Sequence, residues 1–518
     1  MHQHTHFSGL GRVALAIVFV ASLAACGGGG GDDNAGGAGG ETPGIGTDTV
    51  APATPSGFTR VTTLTQQAAK GMKYFVATVG QAASAIVNIT LPGTASVAVG
   101  DTLTVRGGTA TNWRVMQNAD QTVGTRALPG SVAPGTGFSP QGTPQNWWFV
   151  ASSASGTRLA AVANVALRNP STLPPTGSVW TSADGGATWR DRGPEIQLGG
   201  GPANNGNSNW ASIASSADGR VLAAADVMGA LMISTNGGAA WSRPASAGSR
   251  FWVSVTVSAD GTRMAAAAEE SGDSTADNAG IYVSSDSGAT WRVTTAPAGL
   301  DWRSISSSAG GQHLVAVAHT GVTAQEATAA IDTAVYRSSD SGVTWTRSTQ
   351  TFDSAYRVAV SQDGSKVVMG ERYGRVWTST DFGATFTARI PAAVPADSIG
   401  FNAVATSADG TVLAAVKPGG NVFISTDSGV TWTERETARP WRGVALSADG
   451  NRVIAANNNG QIHTSTSNRT TVGAGGYIQG GKDNEVNLIY RGDGLFDVTS
   501  VLPAASGTAS AGVGLTKN

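Results

Sequence analysis

Between residues 147 and 471 the chain is written in apolar runs of about five residues, each broken by a small polar turn. The stretch Arg439 to Thr466, "RPWRGVALSADGNRVIAANNNGQIHTST", is representative. Its β-branched and apolar runs are separated by "ADG" and "NNNG", residues that tolerate left-handed φ and therefore make tight hairpins. A third turn and a further short run follow. No segment carries the 3.6-residue period of a helix. The pattern predicts units of four short antiparallel strands, A to D, none of which can cover both of its own faces.

Two turn texts alternate strictly through this region. One is an octet: "SADGGATW" from Ser182, "STNGGAAW" from Ser234, "SSDSGATW" from Ser284, "SSDSGVTW" from Ser338, "STDFGATF" from Ser379, "STDSGVTW" from Ser425 and the degenerate "STSNRTTV" from Ser465. The other is a tetrad: "SASG" at Ser153, "SADG" at Ser216, Ser258, Ser407 and Ser447, "SAGG" at Ser308 and "SQDG" at Ser361. Each series has seven members, so one unit takes about 40 to 60 residues. Four-stranded units of that length close radially into a β-propeller. The alternative, a linear solenoid, normally uses shorter repeats. The expected fold is all-β: a seven-bladed β-propeller over residues 146–471, with a small split β-module made from the flanking segments.

The octet resembles the Asp-box, or BNR repeat, of sialidases, some glucanases, sortilin-type receptors and photosynthesis assembly factors. The resemblance implies a propeller and says little about chemistry. Asn236 and Ser467 stand where the aspartate is missing. An aspartate in a tight turn accepts hydrogen bonds from nearby backbone N–H groups, and glycine two residues on takes positive φ without strain. The closing aromatic then fills the space between blades. Asp184, Asp286, Asp340, Asp381 and Asp427 read as structural staples, because five catalysts spread around a ring would make no single site.

The flanks are patterned too. "LP…VGD" (Leu91 to Asp101) and "W…QNADQ" (Trp113 to Gln121) precede the repeats, and "GYIQGG…LIYRG" (Gly476 to Gly492) follows them. Both flanks read as strands and hairpins. Together they resemble the two halves of a small β-module of phage tail and bacterial surface proteins, which implies a propeller inserted into a loop of that module near Thr125. The expected boundaries are 58–124 and 472–503 for the halves, 125–145 for a linker and 504–518 for a flexible tail. Unrelated flanking strands are the alternative.

At the N-terminus, Arg12 precedes the apolar run Val13 to Ala25, too short to span a bilayer as a mature helix and typical of a secretory signal. It ends "LAAC", which resembles a bacterial lipobox. That resemblance implies a signal peptide over residues 1–25, lipidation of Cys26 and, with Gly27 following, a place in the outer membrane of the cell envelope. A stray cysteine after an ordinary signal peptide is the alternative. Residues 26–57 are glycine-rich and read as a tether. Cys26 is the single cysteine, so the exported chain has no disulfide. Charged residues are 13 % of the chain and the net charge is -2, which gives nucleic acid no basic surface to bind.

Candidate chemistry is sparse. An aromatic opens nearly every A strand: Trp148, Trp210, Trp252, Trp302, Tyr356, Phe401 and Trp441, three of them followed by Arg303, Arg357 and Arg442. As a ring at the channel mouth these would stack on sugars and pair with carboxylates. Alternatively, the aromatics only pack between blades. The acidic loop holding Glu269, Glu270, Asp273 and Asp277 has oxygen ligands but not the spacing of a calcium loop. His313, His319 and His463 fall at unrelated positions, so no metal site or cofactor is expected. "GERYGR" crowds Glu371, Arg372, Tyr373 and Arg375 into one turn, half of what a glycosidase needs. The reading is a monomeric, non-enzymatic envelope lipoprotein binding a glycan or a protein. The alternatives are a sialidase-like hydrolase and an envelope assembly factor.

Overall fold

The computed structural model describes residues 52–81, 85–109, 111–128, 131–164, 177–193, 208–227, 229–269, 279–320, 332–372, 374–389, 400–470, 472–502 and 516–517. The signal segment, Cys26 and most of the glycine-rich stretch lie outside them, as do Glu270, Asp273, Asp277 and Tyr373.

Seven antiparallel units follow one another in the chain, the last two joined through the long strand Thr433–Leu446 into one seven-stranded sheet. Their A strands are Trp147–Ser152, Trp210–Ser215, Phe251–Val257, Asp301–Ser307, Ala355–Val360, Ala403–Thr406 and the second half of Thr433–Leu446. Each A strand touches the next, and the seventh touches the first. Seven apolar clusters lie between neighbouring sheets, including the pair that closes the ring, where Trp147 and Leu159 meet Ile454 and Ile462. This is a β-propeller. The B strands, such as Leu222–Asp226 ("LAAAD") and Met264–Glu269 ("MAAAAE"), are buried on both faces. Alanine there allows adjacent blades to approach, which explains an apolar run that does not alternate.

The tetrads close the ring at its axis. The second residue of each donates its N–H to the same residue of the next blade: Ala154 to Ala217, then Ala259, Ala309, Gln362, Ala408, Ala448 and back to Ala154, at 2.7–2.9 Å. Around this ring every such donor is satisfied by a neighbour, so the turns form one annulus and not seven separate hairpins.

The octets make the other hairpins of the same face. In "SSDSGATW" the Ser284 hydroxyl donates to Asp286 Oδ1 (2.8 Å) and accepts from the Gly288 N–H (2.9 Å), while Thr290 donates its N–H to Oδ1 (2.9 Å) and its hydroxyl to Oδ2 (2.6 Å). The same set recurs on Asp184, Asp340, Asp381 and Asp427. The glycine is left-handed, and so is the residue before it, Ser287, Ser341, Phe382 and Ser428, at φ 57 to 60°. The threonine and this second left-handed position are not foreseen by the sequence.

Blade seven departs from the expected plan. Its fourth strand does not follow the degenerate octet at Ser465. It is Ser139–Gln145, from the segment expected as a linker, paired antiparallel with Gly460–Thr464. The chain after Ser465 runs instead into the flanking module, where Arg469 bridges to Gly124.

The module draws on both flanks. One sheet orders Thr59–Val61, Lys73–Val76, Thr102–Gly107, Glu485–Gly492, Leu495–Leu502 and Thr122–Gly124; the other orders Thr65–Gln67, Ile86–Thr90, Asn112–Met116, Tyr477–Gly480 and Thr516–Lys517. The N-terminal strands alternate between the sheets and pair in parallel, so they are not the hairpins expected. Residues 516–517 pair with Tyr477–Gly480 and so are not free tail. Trp113 from one flank lies against Gly480 from the other and donates its indole N–H to Gly481 O at 3.0 Å. A Cβ at Gly480 would fall 2.3 Å from that indole, which is why glycine stands there.

Candidate functional site

The first residues of the A strands surround one mouth of the channel, on the face opposite the turn annulus. The expected aromatic ring does not lie open there. Trp210, Trp252, Trp302 and Trp441 are at most 1 % exposed, and Phe401 is 0 % exposed. Each packs between blades, Trp252 on Tyr282, Trp302 on Tyr336, Phe401 on Phe423 and Trp441 on His463. The ligand-binding role expected for these four tryptophans is therefore corrected: buried faces cannot stack on a ligand.

The register explains which residues do face the mouth. A bulge at the residue after the buried position of the A strand turns that residue out of the ladder, as between Trp302 and Ser304 and between Trp441 and Gly443. In blade one the buried position is Trp147, so Trp148 occupies the bulge. In blade five it is Ala355, with Phe352 filling the aromatic space against Trp377 and Phe386, so Tyr356 occupies the bulge. Trp148, Arg303, Tyr356 and Arg442 are thus equivalent, all half-buried.

These side chains converge. Arg442 stacks on the Trp148 ring at 4.6 Å. Arg357, from blade five, stacks on Phe149 of blade one at 4.8 Å and on Tyr356 at 4.4 Å, and donates to the Arg303 carbonyl at 2.8 Å. The phenol of Tyr356 has its pKa lowered, chiefly by Arg357 against the effect of burial, with Arg303, Arg372 and Arg442 adding to the pull. Burial pulls the Arg442 pKa down, a measure of how far its charge is removed from water.

The arginines are not equal. Arg303 is neutralised, with Nη1 2.6 Å from Glu269 and Nη2 on Asp301, and its Nε reaches His319 Nδ1 at 3.4 Å. His319 is 5 % exposed and its pKa is pushed down to about 4, first by burial and then by the Arg303 charge. Its ring is therefore neutral at pH 7, and Nε2 lies 3.2 Å from the Ala355 carbonyl. Arg357 and Arg442 have no carboxylate partner among the described residues.

The alternative catalytic cluster is dispersed. Glu371 is 1 % exposed and its pKa is raised by burial against the pull of Arg375, while Arg372 and Arg375 are exposed. The charge of Asp353, which is exposed, adds to the upward shift of Glu371. Among the described residues no three histidine, cysteine or acidic side chains are placed to hold a metal ion.

The other mouth is covered. The module's tip, Arg491–Gly492–Asp493, lies on the turn annulus: a Cβ at Gly492 would fall 2.8 Å from Ala217 and 3.6 Å from Ala154, and Arg491 reaches Gln362 at 3.4 Å. Around it Arg469 holds Asp449 (2.8 Å), Arg491 holds Asp497 (3.4 Å) and Arg126 holds Asp409 (3.2 Å).

No family model matches the chain, and no curated protein matches it in sequence. Among solved structures, YCF48 bound to D1 peptide aligns at TM-score 0.45 and 14 % identity, over 66 % of this chain and 99 % of that one. YCF48 from Cyanidioschyzon merolae aligns at 0.44 and 14 %, over 64 % and 98 %. The GH74 enzyme of Niastella koreensis aligns at 0.36 and 15 %, over 71 % and 73 %.

Proposed function

We propose that the protein is a non-enzymatic binding module, carried on a lipid-anchored tether at Cys26 in the bacterial envelope, that takes a carboxylate-bearing partner at its open mouth. The observation that carries this reading is the pair Arg357 and Arg442. Both guanidinium planes rest on aromatic rings, both are half-buried, and neither has a carboxylate partner among the described residues. Stacking fixes each plane; Arg442 keeps its N–H edge for a two-point bond to a carboxylate, while Arg357, held by the Arg303 carbonyl and the Tyr356 hydroxyl, offers its remaining N–H groups. The Tyr356 hydroxyl, which accepts from Arg357, adds a donor beside it.

The test is retention of the protein on immobilised poly-glutamate, polygalacturonate and neutral dextran. Retention is expected on both carboxylate polymers and not on dextran. In Arg357→Gln/Arg442→Gln the carboxylate affinity should fall by about tenfold or more, since hydrogen bonds to charged groups contribute roughly 1.5–3 kcal/mol each. Equal retention on dextran, or an unchanged double variant, would refute the assignment. Preference between the two polymers would then separate a peptide partner from a glycan.

A further inference from the structure

The tetrad turns share an internal carboxylate device. In blade three Ser258 donates its hydroxyl to Asp260 Oδ1 (2.5 Å), Thr262 donates its own to Asp260 Oδ2 (2.8 Å), and the Arg263 N–H returns to Ser258 Oγ (2.9 Å). Blades five and six repeat it through Asp363 and Asp409. Blade seven does the same with Asp449 and Asn451.

Blade one cannot. Its tetrad reads Ser153-Ala154-Ser155-Gly156, with serine where the aspartate belongs. The place is filled from some 340 residues away: Ser153 donates to Asp493 Oδ2 at 2.8 Å, Thr157 donates to the same atom at 3.2 Å, Ser155 donates to it as well, and the Arg158 N–H returns to Ser153 Oγ at 3.1 Å. Asp493 thus engages the same two hydroxyls, first and fifth in the turn, that the internal aspartates engage elsewhere. The module also shapes itself to deliver it. Asp493 is left-handed (φ 50°) between two glycines of positive φ, in the tight hairpin joining Glu485–Gly492 to Leu495–Leu502.

We infer that the module's Gly492-Asp493-Gly494 tip is a latch that completes the turn of blade one from outside the repeats, fastening the module to the ring at its first blade. The location is physically pointed. Blade one is the terminal unit of the repeat, beside the blade closed by a strand from outside it, and the tip that carries Asp493 also meets Ala217 of blade two. A terminal unit of a repeat array is the one most in need of an outside contact. Blade four, inside the run of repeats, has Gly310 at the same position and shows no carboxylate from elsewhere on Ser308 among the described residues.

A transplant tests it in the full chain. Asp493→Gly removes the carboxylate without backbone strain and should lower Tm by roughly 2–6 °C and speed amide exchange at Thr157 and Arg158 by about tenfold. Ser155→Asp restores the usual tetrad. With Asp493 present it crowds two carboxylates onto one pair of hydroxyls and should lower Tm. In the Asp493→Gly background it should raise Tm and restore exchange protection at those two amides. That reversal of sign is the prediction. If Ser155→Asp moves Tm in the same direction in both backgrounds, Asp493 is an ordinary contact and the latch is wrong. Should Asp493→Gly fail to fold, the same cycle with Asp493→Asn, which also tolerates left-handed φ, decides it.

Discussion

The two ends of the propeller channel carry similar amounts of charge and use it oppositely. At the end covered by the module, Arg469, Arg491 and Arg126 each meet an aspartate, and the pairs Arg469–Asp449 and Arg491–Asp497 have side chains no more than 8 % exposed. At the open end, Arg303 is matched while Arg357 and Arg442 lie over aromatic rings with no carboxylate partner among the described residues. Charge that is buried and paired holds surfaces together; charge that is stacked and unpaired is available to a partner. The two ends should therefore fail in different assays.

The largest effects are expected where burial is deepest. Arg469→Met strands Asp449, which is 0 % exposed on its side chain, and removing one partner of a buried pair costs about 3–5 kcal/mol. Trp441→Ala, which empties the space between blades six and seven, should cost a similar 3–5 kcal/mol. Chemical denaturation measures both. Binding of the folded fraction to carboxylate polymers should be unchanged in each. Loss of binding in folded Trp441→Ala would return the buried tryptophans to the site and break the comparison.

How far these ends could be read from the sequence follows from what each depends on. The blades were legible because octet and tetrad are local devices, built within eight residues and repeated. The mouth was half legible: Arg303, Arg357 and Arg442 were marked by their aromatic neighbours, but the A-strand bulge shifts the exposed position by one. Two adjacent aromatics, Trp147 and Trp148, hide that shift, and Ala355 hides it again because Phe352 substitutes from outside the strand. Strand Ser139–Gln145 has two prolines and no alternation, so only its partner Gly460–Thr464 reveals it. The latch left a single trace, serine for aspartate at Ser155. Sequence cannot say that a residue some 340 positions away supplies what is missing.

Smaller effects separate the ends by pH. Burial and the neighbouring Asp449 charge push the Asp497 pKa up to about 7, from an ordinary 3.8. Between those values the folded chain holds a proton that the unfolded chain has released, so the contribution of Asp497 to stability is greatest below about 4 and is lost as pH rises through 7. His319 at the open end runs the other way. Its pKa is about 4 against an ordinary 6.5, so its contribution is present above 6.5 and lost as pH falls toward 4. Denaturation at pH 5 and pH 8 should show Asp497→Asn gaining relative stability at the higher pH. A difference independent of pH would mean that Asp497 ionises at its ordinary value and that the covered end is not a tight charge cluster.

The smallest effect tests whether the rim of octet turns is neutral to both ends. In the octet of blade two Asn236 already stands for aspartate, accepting from Ser234 (3.0 Å) and from the Ala240 N–H (2.8 Å). Asp286→Asn should copy that arrangement and lose only the advantage of an ionised acceptor in a solvent-exposed turn, at most about 1 kcal/mol. Its signature should lie in acid. Thr290 and Ser284 hold the Asp286 pKa near 2, so the stabilisation is present above 3.8 and disappears as pH falls through 2, whereas the asparagine variant has no such window. Wild type and variant should therefore differ slightly at pH 5 and converge near pH 2, with carboxylate binding equal at neutral pH. A loss of binding would mean that the octet face communicates with the mouth through the blade. The staples would then be more than construction, and the division between a closed, paired end and an open, unpaired one would have to be redrawn along each blade.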